Sequence, residues 1–533
     1  MDAPAAVPTR ENDLRSLHAR FEALQHKLVP LWESIGRHFP GGSLEEANTV
    51  VVIPSLTVDL PLSSAARQAY EERFLFMLLL LRQPHIRLIY VTGLTIHPNI
   101  IEYYLDLLQG VVATSARQRL FLVSPEDASD RPLIPKLLDR PHLIRQIRSL
   151  IPDRKRAHIV PFTTTDLERE LALRIGVPMY AADPRFYAFG TKSGCRRIFA
   201  EEGVPHPLGV EEILTADALV DAIAIMRARR PSMAGVITKL NEGVSGLGNA
   251  IIDLSGLPLP GDPAELDALA QRVREMRLEL DSLRYEEYVA KLEEGGAIVE
   301  ELITGEEMVS PSAQLRVTPL GEVELLSTHD QLLGGPTGQT YFGCRFPADP
   351  GYGPAIMSEA AKVGRRLARE GVVGRFALDF VVTRAQEGEW QPYAIEINLR
   401  KGGTTHPFLT LAYLTDGRYD AESATFLTRR GAPKYYVAAD HLESSLYRAF
   451  TTDQLFEIVS RRRLHFDHTC QAGVVLHMMS AVGTTGRIGF TAIADSPEEA
   501  DALYRRTIEV HDEEARVLLE EQGEDEAGYE TTR

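Results

Sequence analysis

Residues 374–400, GRFALDFVVTRAQEGEWQPYAIEINLR, decide the fold. They read as a β-hairpin: a strand ending in Asp379, a turn, and a second strand that delivers Glu396, Asn398 and Arg400. Side chains alternate along a strand. Glu396, Asn398 and Arg400 therefore share one face, and Ile395, Ile397 and Leu399 turn to the core. Two carboxylates and an amide carbonyl form a hard oxygen cluster suited to Mg2+. Arg400 beside them could clamp a phosphoryl group. The competing reading is an amphipathic strand with one solvated face.

Two upstream segments weigh against that plainer reading. In Val236–Ala250, VITKLNEGVSGLGNA, a strand carries Lys239 inward and a loop then offers Gly243, Ser245, Gly246 and Gly248. Small residues let backbone N–H groups approach phosphate oxygens. A lysine ahead of such a loop reaches them as a point charge. The spacing is not that of a P-loop, and a flexible hairpin is the alternative. In Ala297–Met308, AIVEELITGEEM, a strand runs into a glycine-containing turn. Such a segment can offer backbone groups to an adenine edge and a carboxylate to ribose hydroxyls; otherwise it is an acidic strand end.

The order of the pieces is more specific than any one of them. Lys192 opens a helix, Lys239 precedes the glycine loop, and EELITGEE, Asp379 and Glu-x-Asn-x-Arg follow. Over roughly 183–410 the chain resembles the ATP-grasp superfamily. The resemblance implies that Lys192 and Lys239 hold ATP phosphates. The 242–249 loop, with Glu242, Ser245 and Gly246, would close over them. Glu301 and Ile303 would pair with adenine through their backbone, Glu300 would support the base, and Glu307 would bind ribose. Asp379, Glu396 and Asn398 would hold two Mg2+, and Arg400 and Lys239 would stabilise the transferred phosphoryl group. The run EINLRKGGTTHPF (Glu396–Phe408), the preceding α/β region and the added C-terminal region are more closely similar to pheganomycin-type peptide ligases, over about 45–510. The loop EGVSGLGNA is one residue longer after Ser245 than in D-alanine–D-alanine ligases, which leaves open which N–H groups meet the phosphates.

The expected fold class is α/β with three parts. They are a Rossmann-like pre-ATP-grasp domain (45–182), an ATP-grasp region (183–432, lid about 205–298) and a C-terminal α+β domain (433–511). Buried parallel strands are expected at 49–54, 87–92, 119–123 and 158–162, with helices at 64–82, 98–109 and 165–175. No GxGxxG accompanies them, so this is not a dinucleotide site. Residues 1–44 contain Leu14, Leu17, Phe21, Leu24, Leu28 and Leu31 at helical spacing. This stripe either packs on the next domain or forms a homodimer. Residues 512–533 carry nine acids and two bases and are expected to be disordered.

Bulk properties narrow the partners. The net charge is −18, which argues against nucleic acid. Phe74–Leu81 is too short an apolar run to span a bilayer. Three scattered cysteines and the N-terminal MDAPAAVPTR give no disulfide framework and no signal peptide, so a cytoplasmic setting is expected.

The substrate side is less legible. Ser312, Gln314 and Arg316 alternate on one strand face, and Arg316 is a candidate to fork the substrate carboxylate. His329, with Asp330 and Gln331, ends the next strand and is a candidate substrate contact or base. Lys401 to His406 follow the metal strand directly and would form the acceptor rim, with Lys401 and His406 as contacts. The implied activity joins a small-molecule acid to an amine or peptide through an acyl phosphate, with release of ADP and phosphate. The alternatives are another ATP-grasp phosphotransfer, acyl transfer to a carrier-protein thiol, and a non-catalytic nucleotide-binding protein.

Overall fold

The computed structural model describes residues 10–36, 48–57, 62–242, 248–280, 283–334, 338, 340–384 and 388–530. Four short apolar strands come first: Asn48–Ile53, Ile86–Val91, Leu120–Val123 and Ala157–Pro161. They pair in parallel in the spatial order third, second, first, fourth. Every residue of Asn48–Ile53 is buried, because the crossovers cover both faces of the sheet. The first crossover is a helix, Ser64–Glu72, followed by a 3-10 turn, Leu75–Arg82, apolar up to its last residue. Two further helices, Leu133–Leu138 and Pro141–Ser149, escaped the sequence reading. Pro132, Pro135 and Pro141 cut the apolar period there into pieces too short to recognise.

The N-terminal stripe is not one helix. It breaks between Arg10–Gln25 and Leu28–Gly36, with Pro30 in the first turn of the second. Phe21 and Leu24 join the core of the parallel-sheet region, and Leu28 and Leu31 pack on Tyr180. The Gln25 side-chain amide receives the Met179 N–H at 2.7 Å and donates to the Met179 carbonyl at 2.8 Å. The described part of the stripe is thus used within the chain, so it gives no argument for a dimer helix.

Residues from 209 to 301 build a separate five-stranded antiparallel sheet. Its order is Gly209–Ile213, Ala297–Glu301, Gly235–Leu240, Asn249–Asp253, Arg277–Leu278. One helix, Glu265–Arg274, precedes the last strand, and the chain then returns to this sheet. The largest sheet has nine antiparallel strands and contains the Gly374–Arg384 and Gln391–Asn398 hairpin. One face is covered by the amphipathic helix Gly353–Arg369. On the other side, one apolar cluster runs from the parallel sheet through helix Thr405–Thr415 to the C-terminal strands. Tyr435–Glu443 pairs with Thr340–Phe346, so the C-terminal α+β region extends the same sheet.

The acidic end departs from expectation. A helix runs Pro497–Glu530, with Val510 and Ala515 buried and Glu514 paired with Arg461 and Arg462. Local charge favoured a solvated coil, but burial on one face and these ion pairs order the segment. Among the described residues no helix is long and apolar enough to cross a membrane.

Candidate active site

The hairpin forms as expected, with two differences. Asp379 lies in the middle of Gly374–Arg384, not at its end, and faces Glu396 across the ladder. A bulge follows: Asp379 pairs with Glu396 but Phe380 pairs with Ala394, which leaves Ile395 as the extra residue. Ala394 and Ile397 therefore fill the core, and Ile395 is only half-buried. Strict alternation could not foresee this. The strand ends at Asn398, so Arg400 stands in the loop beyond it, its N–H bonded to the Asn398 carbonyl at 2.7 Å.

Asp379, Glu396 and Asn398 still converge. The Asn398 amide donates to Asp379 Oδ2 at 2.8 Å, and Gln331 donates to Oδ1 at 2.9 Å. Burial, and then the Glu396 carboxylate, push the Asp379 carboxyl up to about 6, against the Ser312 hydroxyl, Lys192 and Arg400. Two carboxylates pressed together this way call for a cation, and an all-oxygen donor set fits Mg2+. Lys192 now supplies part of that charge: its Nζ is 2.5 Å from Glu396 Oε1. Thr191 caps the helix that Lys192 opens, and Ser193 bonds the Asn241 side chain just before the glycine loop. The start of this helix therefore contacts both Asn241 and the strand that carries Glu396.

Lys239 is buried in the strand of the smaller sheet, and its Nζ donates to Glu300 Oε2 at 2.7 Å. Arg196 holds the other oxygen of Glu300 at 2.5 Å. Burial alone would raise Glu300, but Lys239 and Arg196 together hold it below the usual carboxylate range. Arg196 escaped the sequence reading. The signal was present, because it lies one helical turn after Lys192 and so shares its face.

The remaining expected nucleotide contacts have these surroundings. Glu301 pairs with Arg230, and Ile303 is half-buried in the turn beyond the strand. Glu307 pairs with Arg384 on the neighbouring strand. Glu242 is exposed and reaches Tyr187. Ser245 and Gly246 lie outside the described residues.

On the substrate side the structure divides the candidates. Gln314 lies next to the metal cluster, accepting from Thr405 Oγ1 at 2.9 Å while its buried Nε2 has no partner. The Lys401 ammonium donates to the Pro161 carbonyl at 2.7 Å, and burial lowers it to about 7. It thus ties the metal loop to the end of the parallel sheet. Arg400 sits over the Phe162 ring at 5.7 Å, and burial lowers its pKa although Glu396 and Asp379 oppose this.

Arg316 is not in the site. Ser312 pairs with Asp379, whereas Arg316 lies four residues further on, about 13 Å along the strand. There it pairs with Glu324 at 2.5 Å and covers the Trp32 ring. His329 is also displaced: it is fully buried among Phe346, Phe408 and Tyr436, bonded to the Tyr436 hydroxyl at 2.9 Å. Burial lowers it to about 3, so it is neutral and closed to substrate. His406 is buried as well, beside Asp440 and His477. It packs below the expected rim.

Comparison with known proteins identifies the family. Residues 185–268 and 263–422 match the family described as IQCH-like, ATP-grasp, and residues 454–507 match the PGM1 C-terminal domain. The chain is 33% identical to the L-propargylglycine–L-glutamate ligase of Streptantibioticus cattleyicolor, over 81% of this chain and 87% of that protein. It is 23% identical to IQ motif-containing protein H of Danio rerio, covering 73% of this chain but only 40% of that protein. Among solved structures, the biotin carboxylase domain of the Hydrogenobacter thermophilus 2-oxoglutarate carboxylase, a dimer with MgADP and bicarbonate, superposes with a TM-score of 0.52. Identity there is 13%, covering 87% of this chain and 90% of that one. The Campylobacter jejuni biotin carboxylase in complex with β,γ-ATP gives 0.51 at 12% identity, covering 87% and 94%. The chain belongs to the ATP-grasp ligases, in the family of L-propargylglycine–L-glutamate ligase.

Proposed function

We propose that this protein joins the carboxylate of an amino acid to the amine of a second amino acid or short peptide, converting ATP to ADP and phosphate. One observation carries the reading: the Lys192 ammonium meets Glu396, which faces Asp379 in the carboxylate pair that would hold the metal. A carboxylate is a poor acyl donor because its oxygen leaves poorly. Phosphorylation makes it a good one, and attack by an amine then expels phosphate.

Asp379, Glu396 and Asn398 would hold two Mg2+, which neutralise the triphosphate when bound. Lys192 and Lys239 would take phosphate oxygens, with Lys192 leaving Glu396 for them. The Glu301–Ile303 backbone would receive the adenine and Glu307 the ribose. Arg400, close to Asp379 and Glu396, would stabilise the phosphoryl group in transit. Closure of the smaller sheet over the groove would keep water from the acyl phosphate. Gln314, with its unpartnered buried amide, and Lys401 face the side where the acid would lie. The Streptantibioticus relative acts on two amino acids, and one of them has two carboxylates. An amino dicarboxylic acid is therefore the first acid to offer.

The test is phosphate release from purified protein with ATP and Mg2+ across pooled amino acids and dipeptides, read with product mass. Release that needs an acid and an amine together, with a product equal to their sum minus water, is expected. ADP formation with a stable phosphorylated acid that no amine consumes, and no product of summed mass, would defeat the ligase reading in favour of a simple phosphotransferase.

A further inference from the structure

Away from the carboxylate pair, His406, Asp440 and His477 bring three ligand atoms together in the interior. The two imidazole Nε2 atoms are 3.1 Å apart, and Asp440 Oδ1 lies 3.2 Å from His406 Nε2 and 3.1 Å from His477 Nε2. All three residues are at most 3% exposed. The triangle is nearly equilateral, and hydrogen bonding explains it poorly. Two N–H donors that share one carboxylate oxygen use separate lone pairs, which spreads them well beyond this separation. Three ligands around one tetrahedral ion at about 2.0 Å stand roughly 3.3 Å apart, which matches the observed edges.

The surroundings are built to hold this triangle. Arg73 Nη1 takes the second oxygen of Asp440 at 2.7 Å, which aims Oδ1 at the two rings, and Arg487 Nε anchors the Asp440 carbonyl at 2.7 Å. A Cβ on Gly489, opposite His477 in the ladder, would fall 2.3 Å from the His477 ring. That glycine makes room for the imidazole to reach the cluster.

We propose that His406, Asp440 and His477 bind one first-row divalent ion of the zinc class, separate from the Mg2+ site. Two imidazoles and a single carboxylate select such an ion over Mg2+. The ion would cross-link helix Thr405–Thr415, strand Tyr435–Glu443 and strand Gly473–His477. Through Arg73 it would also brace the parallel-sheet region against the loop that carries Arg400. The proposal does not depend on the ligase reading.

The experiment is metal stoichiometry on the full chain after chelator treatment, zinc reconstitution and gel filtration in excess Mg2+, with a parallel Co2+ titration read by visible absorbance. One zinc per chain, a Co2+ spectrum of low-coordinate type and a zinc-dependent rise in Tm are expected. Asp379→Asn should keep all three, and His477→Gln should lose them. Less than about a tenth of an equivalent of zinc on the wild-type chain would overturn the proposal without recourse to any variant. So would equal zinc retention by a folded His477→Gln protein. In either case the trio is a hydrogen-bonded core cluster.

Discussion

Two lysines in this groove each rest on a glutamate, and the two pairs are built differently. Lys192 meets Glu396, whose side chain is 25% exposed, at the edge of the metal cluster. Lys239 meets Glu300, 1% exposed, which Arg196 holds from the other side. The first pair is open and, in the proposed reaction, would exchange partners when a triphosphate arrives. The second is closed, and a carboxylate there offsets two buried cations. One motif, lysine on glutamate, would thus serve one lysine that must change partners and another that must be held in place.

The sharpest way to test this contrast is to remove each glutamate in turn. Glu396→Ala should leave the fold intact and lower ADP formation by about a thousandfold or more, as expected when the charge-stabilising centre of a phosphoryl transfer is lost. Normal turnover by this variant would end the assignment of Glu396 to the metal site. Glu300→Ala should behave in the opposite way. It leaves Lys239 and Arg196 buried without their counter-charge, so unfolding free energy should fall by about 3–5 kcal/mol. A stable Glu300→Ala protein with unchanged Tm would show that this pair is as exchangeable as the other.

pH sharpens the open side of the comparison. The Asp379 carboxyl is raised to about 6, chiefly by burial and next by Glu396. A raised carboxyl favours the protonated folded form, so its contribution to apo stability is greatest in acid and is lost as pH rises through about 6. Metal binding needs the ionised form, so kcat/KM for MgATP should fall toward tenfold per unit below pH 6. In Asp379→Asn that acid limb should be absent from whatever activity remains. An acid limb unchanged in that variant would assign it to another group.

What the sequence disclosed is narrower. The convergence of Asp379, Glu396 and Asn398 was legible from strand alternation. The roles given to them, to Lys192 and to Lys239 came from the family resemblance. The bulge that displaces Ile395 was not legible, because a register shift arises from pairing with a second strand and leaves no mark on the first. His329 and His406 misled for a related reason. A histidine near a strand end looks available for chemistry, yet here both pack under residues more than 60 positions away, Tyr436 and His477. Long-range burial, not local pattern, decides whether such a group meets solvent. The acidic C-terminal helix makes the same point, since Glu514 finds Arg461 and Arg462 only after folding.

Arg316 is the smallest and most discriminating case. Its spacing from Ser312 places it on the same face as the metal cluster, which is why it suggested a carboxylate clamp. Sharing a face is not sharing a site, because four residues of strand carry it to the other end of the sheet. It is part-exposed, pairs with Glu324 and covers Trp32, which belongs to the second N-terminal helix. An ion pair of this kind contributes up to about 1 kcal/mol, and the cation–ring contact a similar amount. Arg316→Ala should therefore lower stability by about 1–2 kcal/mol and leave the KM for the acid substrate within twofold. Trp32→Ala should remove the ring contact and make the Arg316→Ala loss smaller in a double-mutant cycle. A rise of tenfold or more in that KM, with unchanged stability, would return Arg316 to the substrate and place the acid pocket at the N-terminal helices.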